Sequence, residues 1–223
     1  MNLRREIIRL YSKYGRQIII RKYLATHKIR KLQLGAGPTI HAGWLRTDIK
    51  PAKNRIFLDA TKRFPLESDT FDYIHSEHMI EHISWQKGLF MLKECHRVLK
   101  QNGVVRVATP NLESIIGLYN QKDDPLGARY IQWITDRHIS GVEIYKASFV
   151  INNAFRNYGH QFLYDGDLLE LALKESGFIN VHRCAMGESK DDNLMGIEDH
   201  GKNTGNEELV AFETMVYEGT CQK

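Results

Sequence analysis

The sequence predicts an α/β fold built on a largely parallel sheet, and three observations carry that expectation. From residue 29 onward, short β-branched or apolar runs alternate with stretches of helical periodicity. The first of those runs leads straight into a glycine turn, LGAG. The next two end in aspartate, at Asp48 and Asp59. In a parallel sheet such ends stand side by side along one edge, where ligands bind.

The bulk properties agree. A chain of 223 residues suits one domain with a sizeable core. No apolar run approaches the length of a membrane span. The opening MNLRREIIRL lacks the apolar core of a secretory signal, so a cytoplasmic location is expected. Cys95, Cys184 and Cys221 are odd in number and scattered, which fits reduced thiols and offers no CxxC pair for zinc.

Residues 1–28 read as a basic amphipathic helix preceding the domain of residues 29–223. Leu3, Ile7, Tyr11, Tyr14 and Ile18 recur at helical spacing. Residues 1–31 hold ten Lys/Arg against the single acid Glu6, while the rest of the chain is net acidic. The expected role is packing on the domain. The basic face also suits a lid over a cofactor, or peripheral contact with an anionic membrane or carrier. No nucleic-acid recognition motif accompanies it, so no specific nucleic acid is expected.

IRKLQL reads as the first strand, WLRTDI as the second, RIFLDA as the third and FDYIHSE as the fourth. Ser84 is a suitable N-cap for a long helix with Trp85, Leu89, Leu92, Cys95 and Leu99 on one face, stopped at Gly103. VVRVATP is a buried fifth strand. Residues 111–160 (ESIIGLY, RYIQWI, SFVINNAFRNY) read as short helices inserted over the strand ends. GDLLELALKESGF is a helix ended by Gly177, FINVHRC a strand and ELVAFETMVYEG the last strand. GESKDDNLMGIEDHGKNTGNEE reads as a long polar loop.

Gly35, Ala36 and Gly37 allow close approach of backbone to a ligand. A dinucleotide fingerprint would need a third glycine where Ile40 stands, and an acid about 20 residues on. Asp48 comes too early for that. S-adenosylmethionine fits better, because it has no phosphates but offers a ribose diol, an adenine amine, an ammonium and a sulfonium. Asp48 is placed for the ribose hydroxyls, and Asp59 with Ala60 for the adenine edge.

LQLGAGP, WLRTDI, LDATKRFPLESDTFDYIHSEHMIEHI and LKECHRVLKQNGVVRVATPNLE, in that order, resemble the class I S-adenosylmethionine-dependent methyltransferases, and within them the compact type 11-like branch. HQFLYDGDLLELALKESGF resembles that branch's late helix. The resemblance covers about residues 29–185. It implies a Rossmann-like, doubly wound, mostly parallel seven-stranded sheet with an antiparallel last strand. Two departures are the missing third glycine of the loop, with Thr39 there, and the short KPAKN between the second and third strands. The branch is often associated with glycan biosynthesis, so the resemblance implies a sugar hydroxyl as acceptor, with a small-molecule or protein acceptor as the alternative. A partner subunit that keeps the cofactor without turnover remains open.

HSEHMIEH, residues 75–82, admits two readings. His78, Glu81 and His82 spell HxxEH, a zinc-hydrolase pattern when it lies on a helix. The segment follows a strand directly and has no evident third ligand downstream, so no metal is expected. The resemblance instead places Ser76 and Glu77 beside the methionine end of the cofactor. A hydroxyl acceptor must lose a proton, and imidazole suits that task. His78, His82 and His160 are the candidate catalytic residues, with His138 a further histidine to consider. Tyr130, Trp133 and Tyr158 supply aromatic faces for packing or for stacking on an acceptor.

Overall fold

A computed structural model describes residues 3–120 and 124–223, with side chains described from Gly15 onward. Its centre is a seven-stranded sheet of β1 (Lys31–Leu34), β2 (Trp44–Asp48), β3 (Ile56–Phe57), β4 (Phe71–Glu77), β5 (Leu99–Pro110), β6 (Phe178–Cys184) and β7 (Thr214–Cys221). The spatial order is β3-β2-β1-β4-β5-β7-β6. β1 to β5 pair in parallel, and β7 runs antiparallel to both its neighbours. This is the sheet that the resemblance implied.

The two faces of the sheet are built differently. Leu32, Leu34, Leu45, Ile74, Val105 and Val107 alternate onto one face and join the main core. Helices α1 (Leu3–Thr26), α2 (Trp85–Val98) and α6 (Gly166–Glu175) contribute to that core. The buried stripe of α2 is Gly88, Met91, Leu92, Cys95 and Val98, one face at helical period. On the other face, Arg46, Gln33, His75, Arg106 and Glu218 stand in register across five strands, and all are buried.

That polar row is covered by the chain between β6 and β7. The Arg106 guanidinium donates to both oxygens of Glu198 (2.6 and 3.0 Å), to Glu218 (2.5 Å) and to the Glu188 carbonyl (2.9 Å). Trp44, Leu194 and Ile197 form a small apolar cluster beside it. The insert follows β5 as α3 (Leu112–Asn120), α4 (Pro125–His138) and α5 (Ala147–Arg156). Leu118, Tyr130, Ile134 and Val150 give the insert its own core, shared with Leu209. Among the described residues no helix is long and apolar enough to cross a membrane.

Several boundaries depart from the sequence reading. The polar stretch folds into turns followed by α7 (His200–Thr204), and Glu207–Glu213 is a helix, α8, so the last strand begins only at Thr214. Asn206 accepts from the Leu209 N–H and caps α8, a signal that the apolar run LVAF concealed. α2 ends at Val98 rather than at Gly103, because Leu99 is already extended and paired with Phe71. The Ser84 side chain makes no capping bond. In α1 the packed residues are Ile20, Tyr23 and Leu24, whereas Ile18 is 73% exposed. Tyr23 sets that face: its hydroxyl accepts from the Lys31 N–H (2.7 Å) and donates to the Gly43 carbonyl (2.8 Å). The side chains of Leu3, Ile7, Tyr11 and Tyr14 lie outside the described residues.

The polar row makes stability pH-dependent. Burial pushes His75 down to about 3 from an ordinary 6.5, so the unfolded chain takes up the proton first. Burial alone would raise Glu198, but the Arg106 hydrogen bonds outweigh it and hold it below its ordinary 4.5. Both groups therefore stabilise the fold above their unfolded pKa values and lose that contribution as pH falls. Thermal unfolding followed by circular dichroism is expected to show a steady melting temperature near pH 7–8 and a progressive fall below about pH 6.5. His75→Leu should flatten the upper part of that fall and leave the part below about pH 4.5 in place. An unchanged slope in the variant would count against the assignment.

Candidate active site

The sheet order places the site. β2 and β3 lie to one side of β1, β4 and β5 to the other, so the chain reverses direction between β1 and β4. The loops leaving those two strands open a crevice at the carboxyl edge. Gly35 (φ 61°) and Gly37 (φ 49°) adopt left-handed conformations in the first loop. A Cβ on Gly35 would meet Met79 Cγ of the second loop at 2.4 Å, so glycine there is a condition of the two loops closing on each other.

The carboxylates beside the crevice are tied to the backbone. Asp48 accepts from the Gly37 N–H (2.9 Å) and the Lys50 N–H (2.6 Å), bracing the glycine turn against the end of β2. The Ala36 N–H donates to the Thr47 carbonyl (2.9 Å). The Leu58 N–H donates to the Asp48 carbonyl (3.1 Å), which brings the chain after β3 alongside. Asp59 accepts from the Thr61 N–H (3.1 Å) and hydroxyl (2.6 Å), with Lys62 at 3.3 Å. Burial would raise its pKa, but these partners outweigh it and lower it.

A cavity of about 530 Å³ runs from this turn under the insert. Gly35, Ala36 and Gly37 line one end, and His82, Trp133, Tyr158 and His160 stand among the lining residues from the second loop and the insert. Glu77 and His78 line it too. Asp48, Asp59, Ala60 and Ser76 stand outside the lining, and the Ser76 hydroxyl is buried without a hydrogen-bond partner among the described residues. Glu77 accepts from the Asp199 and His200 N–H groups (3.1 and 2.9 Å) and so docks the start of α7 over the cavity. Burial chiefly raises its pKa.

The HxxEH segment is not α-helical. His78 is left-handed (φ 45°), and Ile80–His82 is a single 3₁₀ turn. His78 Nδ1 lies 3.4 Å from Glu81 Oε1 and its Nε2 3.2 Å from the Thr214 hydroxyl, so both ring nitrogens are engaged. Burial lowers the His78 pKa, but Glu81 outweighs it and the net direction is upward. The ring stacks on His200 at 4.1 Å. Burial first, and then His78, push His200 down to about 4. His160 donates from Nδ1 to the Ala154 carbonyl (2.7 Å), and burial lowers its pKa. Tyr130 donates to Glu213, whose pKa burial raises.

The structure therefore gathers Gly35, Ala36, Gly37, Glu77, His78, His82 and His160 around one cavity, together with His138. His200 and Glu213 also line it, though the sequence reading singled out neither. The reason is local: one lay inside an apparent polar loop and the other inside an apparent strand.

Comparison with known proteins bears on this geometry. Residues 32–107 match the family model described as "Methyltransferase domain", a span that runs from β1 into β5 and includes both loops of the crevice. No protein of curated function matches the chain by sequence. Among solved structures, a SAM-dependent methyltransferase from Archaeoglobus fulgidus superposes with a TM-score of 0.50 at 15% identity, over 96% of this chain and 94% of that one. The S-adenosylmethionine-dependent methyltransferase SibL, in its apo form, gives a TM-score of 0.50 at 14% identity, over 96% and 56% respectively. These two likenesses are of fold. The matched span, about a third of the chain, gives it a methyltransferase domain.

The glycine turn supplies a direct check. Gly35→Ala should lower stability in a denaturant melt by more than about 1 kcal/mol, from left-handed strain plus the Met79 clash. Gly37→Ala meets nothing closer than 4.0 Å among the described residues and should cost strain alone. Equal losses in the two variants would show that the close approach to Met79 does not matter.

Proposed function

We propose that this S-adenosylmethionine-dependent methyltransferase transfers its methyl group to a sugar hydroxyl on a glycan or glycan precursor. The observation that carries this reading is a continuous cavity from the glycine turn to the imidazoles of His82 and His160. The aromatic rings of Trp133 and Tyr158 line the same cavity and offer faces for a sugar ring. A polyol presents several hydroxyls and few apolar surfaces, which suits a wall of imidazoles and carboxylates.

In this reading the backbone of Gly35, Ala36 and Gly37 lies against the cofactor. Asp48 holds the ribose hydroxyls with lone pairs left over from the turn. Asp59 and Ala60 face the adenine edge, and Ser76 and Glu77 stand toward the methionine end. Methyl transfer is an in-line displacement: the acceptor O–H loses its proton, an O–C bond forms, the C–S bond breaks, and S-adenosylhomocysteine leaves. The sulfonium is already activated, so the protein chiefly aligns the acceptor and assists proton loss. His82 and His160 activate the hydroxyl. His78 supports them by holding Glu81. The reaction takes place in the cytoplasm, where the basic residues of 1–28 hold the protein against an anionic membrane or a lipid- or nucleotide-linked carrier.

Three measurements test the reading. Labelled S-adenosylmethionine, offered with glycans, small phenols, protein and RNA, should label the glycan fraction. Label confined to another fraction would overturn the sugar assignment. Asp48→Ala removes charge-assisted bonds worth about 1.5–3 kcal/mol each and should raise the cofactor Kd at least about tenfold by calorimetry. An unchanged Kd would remove the ribose assignment. Pelleting with anionic liposomes should weaken when Arg4, Arg5 and Arg9 are changed to Glu together, and equal pelleting would remove the membrane role.

A further inference from the structure

We propose that Glu81, His82 and His160 form a binding site for one divalent first-row transition-metal ion, with an open coordination position facing the cavity. The inference deepens the reading above, on which its catalytic meaning rests, by making His82 and His160 act on the acceptor through the metal.

Three ligand atoms converge. One atom each from Glu81, His82 and His160 lie within 4.8 Å of one another. His82 Nε2 is 3.9 Å from Glu81 Oε1, against about 3.4 Å for neighbouring ligands of a tetrahedral ion bonded at ~2.1 Å. The distance is that of a site drawn slightly open. The two imidazole rings meet edge to face at 5.0 Å and 61°, so their in-plane lone pairs can point to a common centre.

Each ligand is also oriented from behind. His160 Nδ1 donates to the Ala154 carbonyl at 2.7 Å, which puts the proton on Nδ1 and leaves a lone pair on Nε2. Glu81 is wholly buried. Its Oε2 accepts from the Thr109 hydroxyl (2.9 Å), while its Oε1 makes no hydrogen bond among the described residues and faces two imidazole nitrogens, His78 Nδ1 at 3.4 Å and His82 Nε2 at 3.9 Å. The 3.4 Å contact with His78 is too long for a strong hydrogen bond, and a cation bonded directly would satisfy that buried oxygen more fully. The backbone fastens the loop carrying His160 to the turn carrying Glu81 and His82. The Gln161 and Phe162 N–H groups donate to the Glu81 carbonyl (2.8 and 3.2 Å), and the Gln161 side chain donates to the His82 carbonyl (2.8 Å).

The neighbouring group of His78, His200 and Glu213 is also close-packed. Its two rings stack face to face at 4.1 Å and 26°, which aims their lone pairs along near-parallel planes rather than at one point. Glu213 is already engaged by Tyr130. Two neutral imidazoles and one carboxylate match the donor set of zinc and similar ions, and three protein ligands leave a position for an acceptor oxygen. A metal there would bind a sugar hydroxyl and lower its pKa.

The test is metal binding itself. Full-length protein, stripped with chelator, is titrated with Zn²⁺ by calorimetry and with Co²⁺ by visible absorption. One equivalent should bind, with a cobalt spectrum of low coordination number. His82→Ala and His160→Ala alter partly exposed residues and should each weaken Zn²⁺ binding by more than about 100-fold, and Thr109→Val by ~10-fold. His200→Ala should leave Zn²⁺ affinity unchanged. No stoichiometric binding, or loss of binding in His200→Ala with retention in His160→Ala, would overturn the site. Cofactor affinity measured on the same samples separates the two ideas: intact S-adenosylmethionine binding without metal binding removes the metal site alone.

Discussion

The buried Arg106 guanidinium is the interaction on which the architecture of the site depends. A charge in the interior is tolerable only when it is paired and hydrogen-bonded, and removing one partner of such a group typically costs about 3–5 kcal/mol. Arg106 is wholly buried and meets Glu218 on the adjacent strand and Glu198 in the covering segment. Glu198 in turn accepts from the Gly187 N–H, closing the segment on itself. The next residues, Asp199 and His200, are then close enough for Glu77 to hold their N–H groups. A polar row in the middle of the sheet thus sets the roof of a cavity at its edge.

The row exists because two connections are short. Parallel strands are usually joined by crossovers of a dozen or more residues with a helix in them. Here residues 35–43 join β1 to β2 and residues 49–55 join β2 to β3, and neither contains a helix. The face those helices would cover falls to the chain between β6 and β7, which has few apolar side chains to offer. Leu194 and Ile197 supply what there is. The rest of the contact is polar: Tyr73 donates to Asp191, and Arg106 reaches Glu188 and Glu198. A polar cover requires a polar sheet face, hence Gln33, Arg46, His75 and Arg106 at alternate positions of otherwise apolar strands.

That arrangement explains what was legible in the sequence. Strand periodicity and the glycine turn reported the sheet, because those signals are local and each strand buries one strongly apolar face. A buried fifth strand in a doubly wound sheet was legible, but the polar positions in KLQL and VVRVAT did not reveal that one covered face is lined by charges and amides rather than apolar side chains. The cover itself read as a polar loop for the same reason: its partners are charges 80 or more residues away, such as Glu198 to Arg106. The apolar run LVAF shifted the start of the last strand, since it serves as well for the short helix packed on the insert as for a strand. Asp48 and Asp59 were singled out by their place at strand ends, but their tethering to the turn backbone depends on loop geometry that spacing does not encode.

The histidines show the same limit from the other side. HxxEH invites a helix with His78 and His82 one turn apart, and no third ligand follows within reach of the sequence. The left-handed backbone at His78 breaks that geometry and turns its ring toward Thr214 and His200. Glu81 then has one oxygen held by Thr109 and the other between the ring nitrogens of His78 and His82. A further imidazole arrives from the end of the insert, where the strap of Gln161 and Phe162 onto Glu81 brings His160 beside His82. The feature that removes the helical motif is therefore the one that assembles a different constellation from part of it, and only the fold, not the spacing, brings its members together.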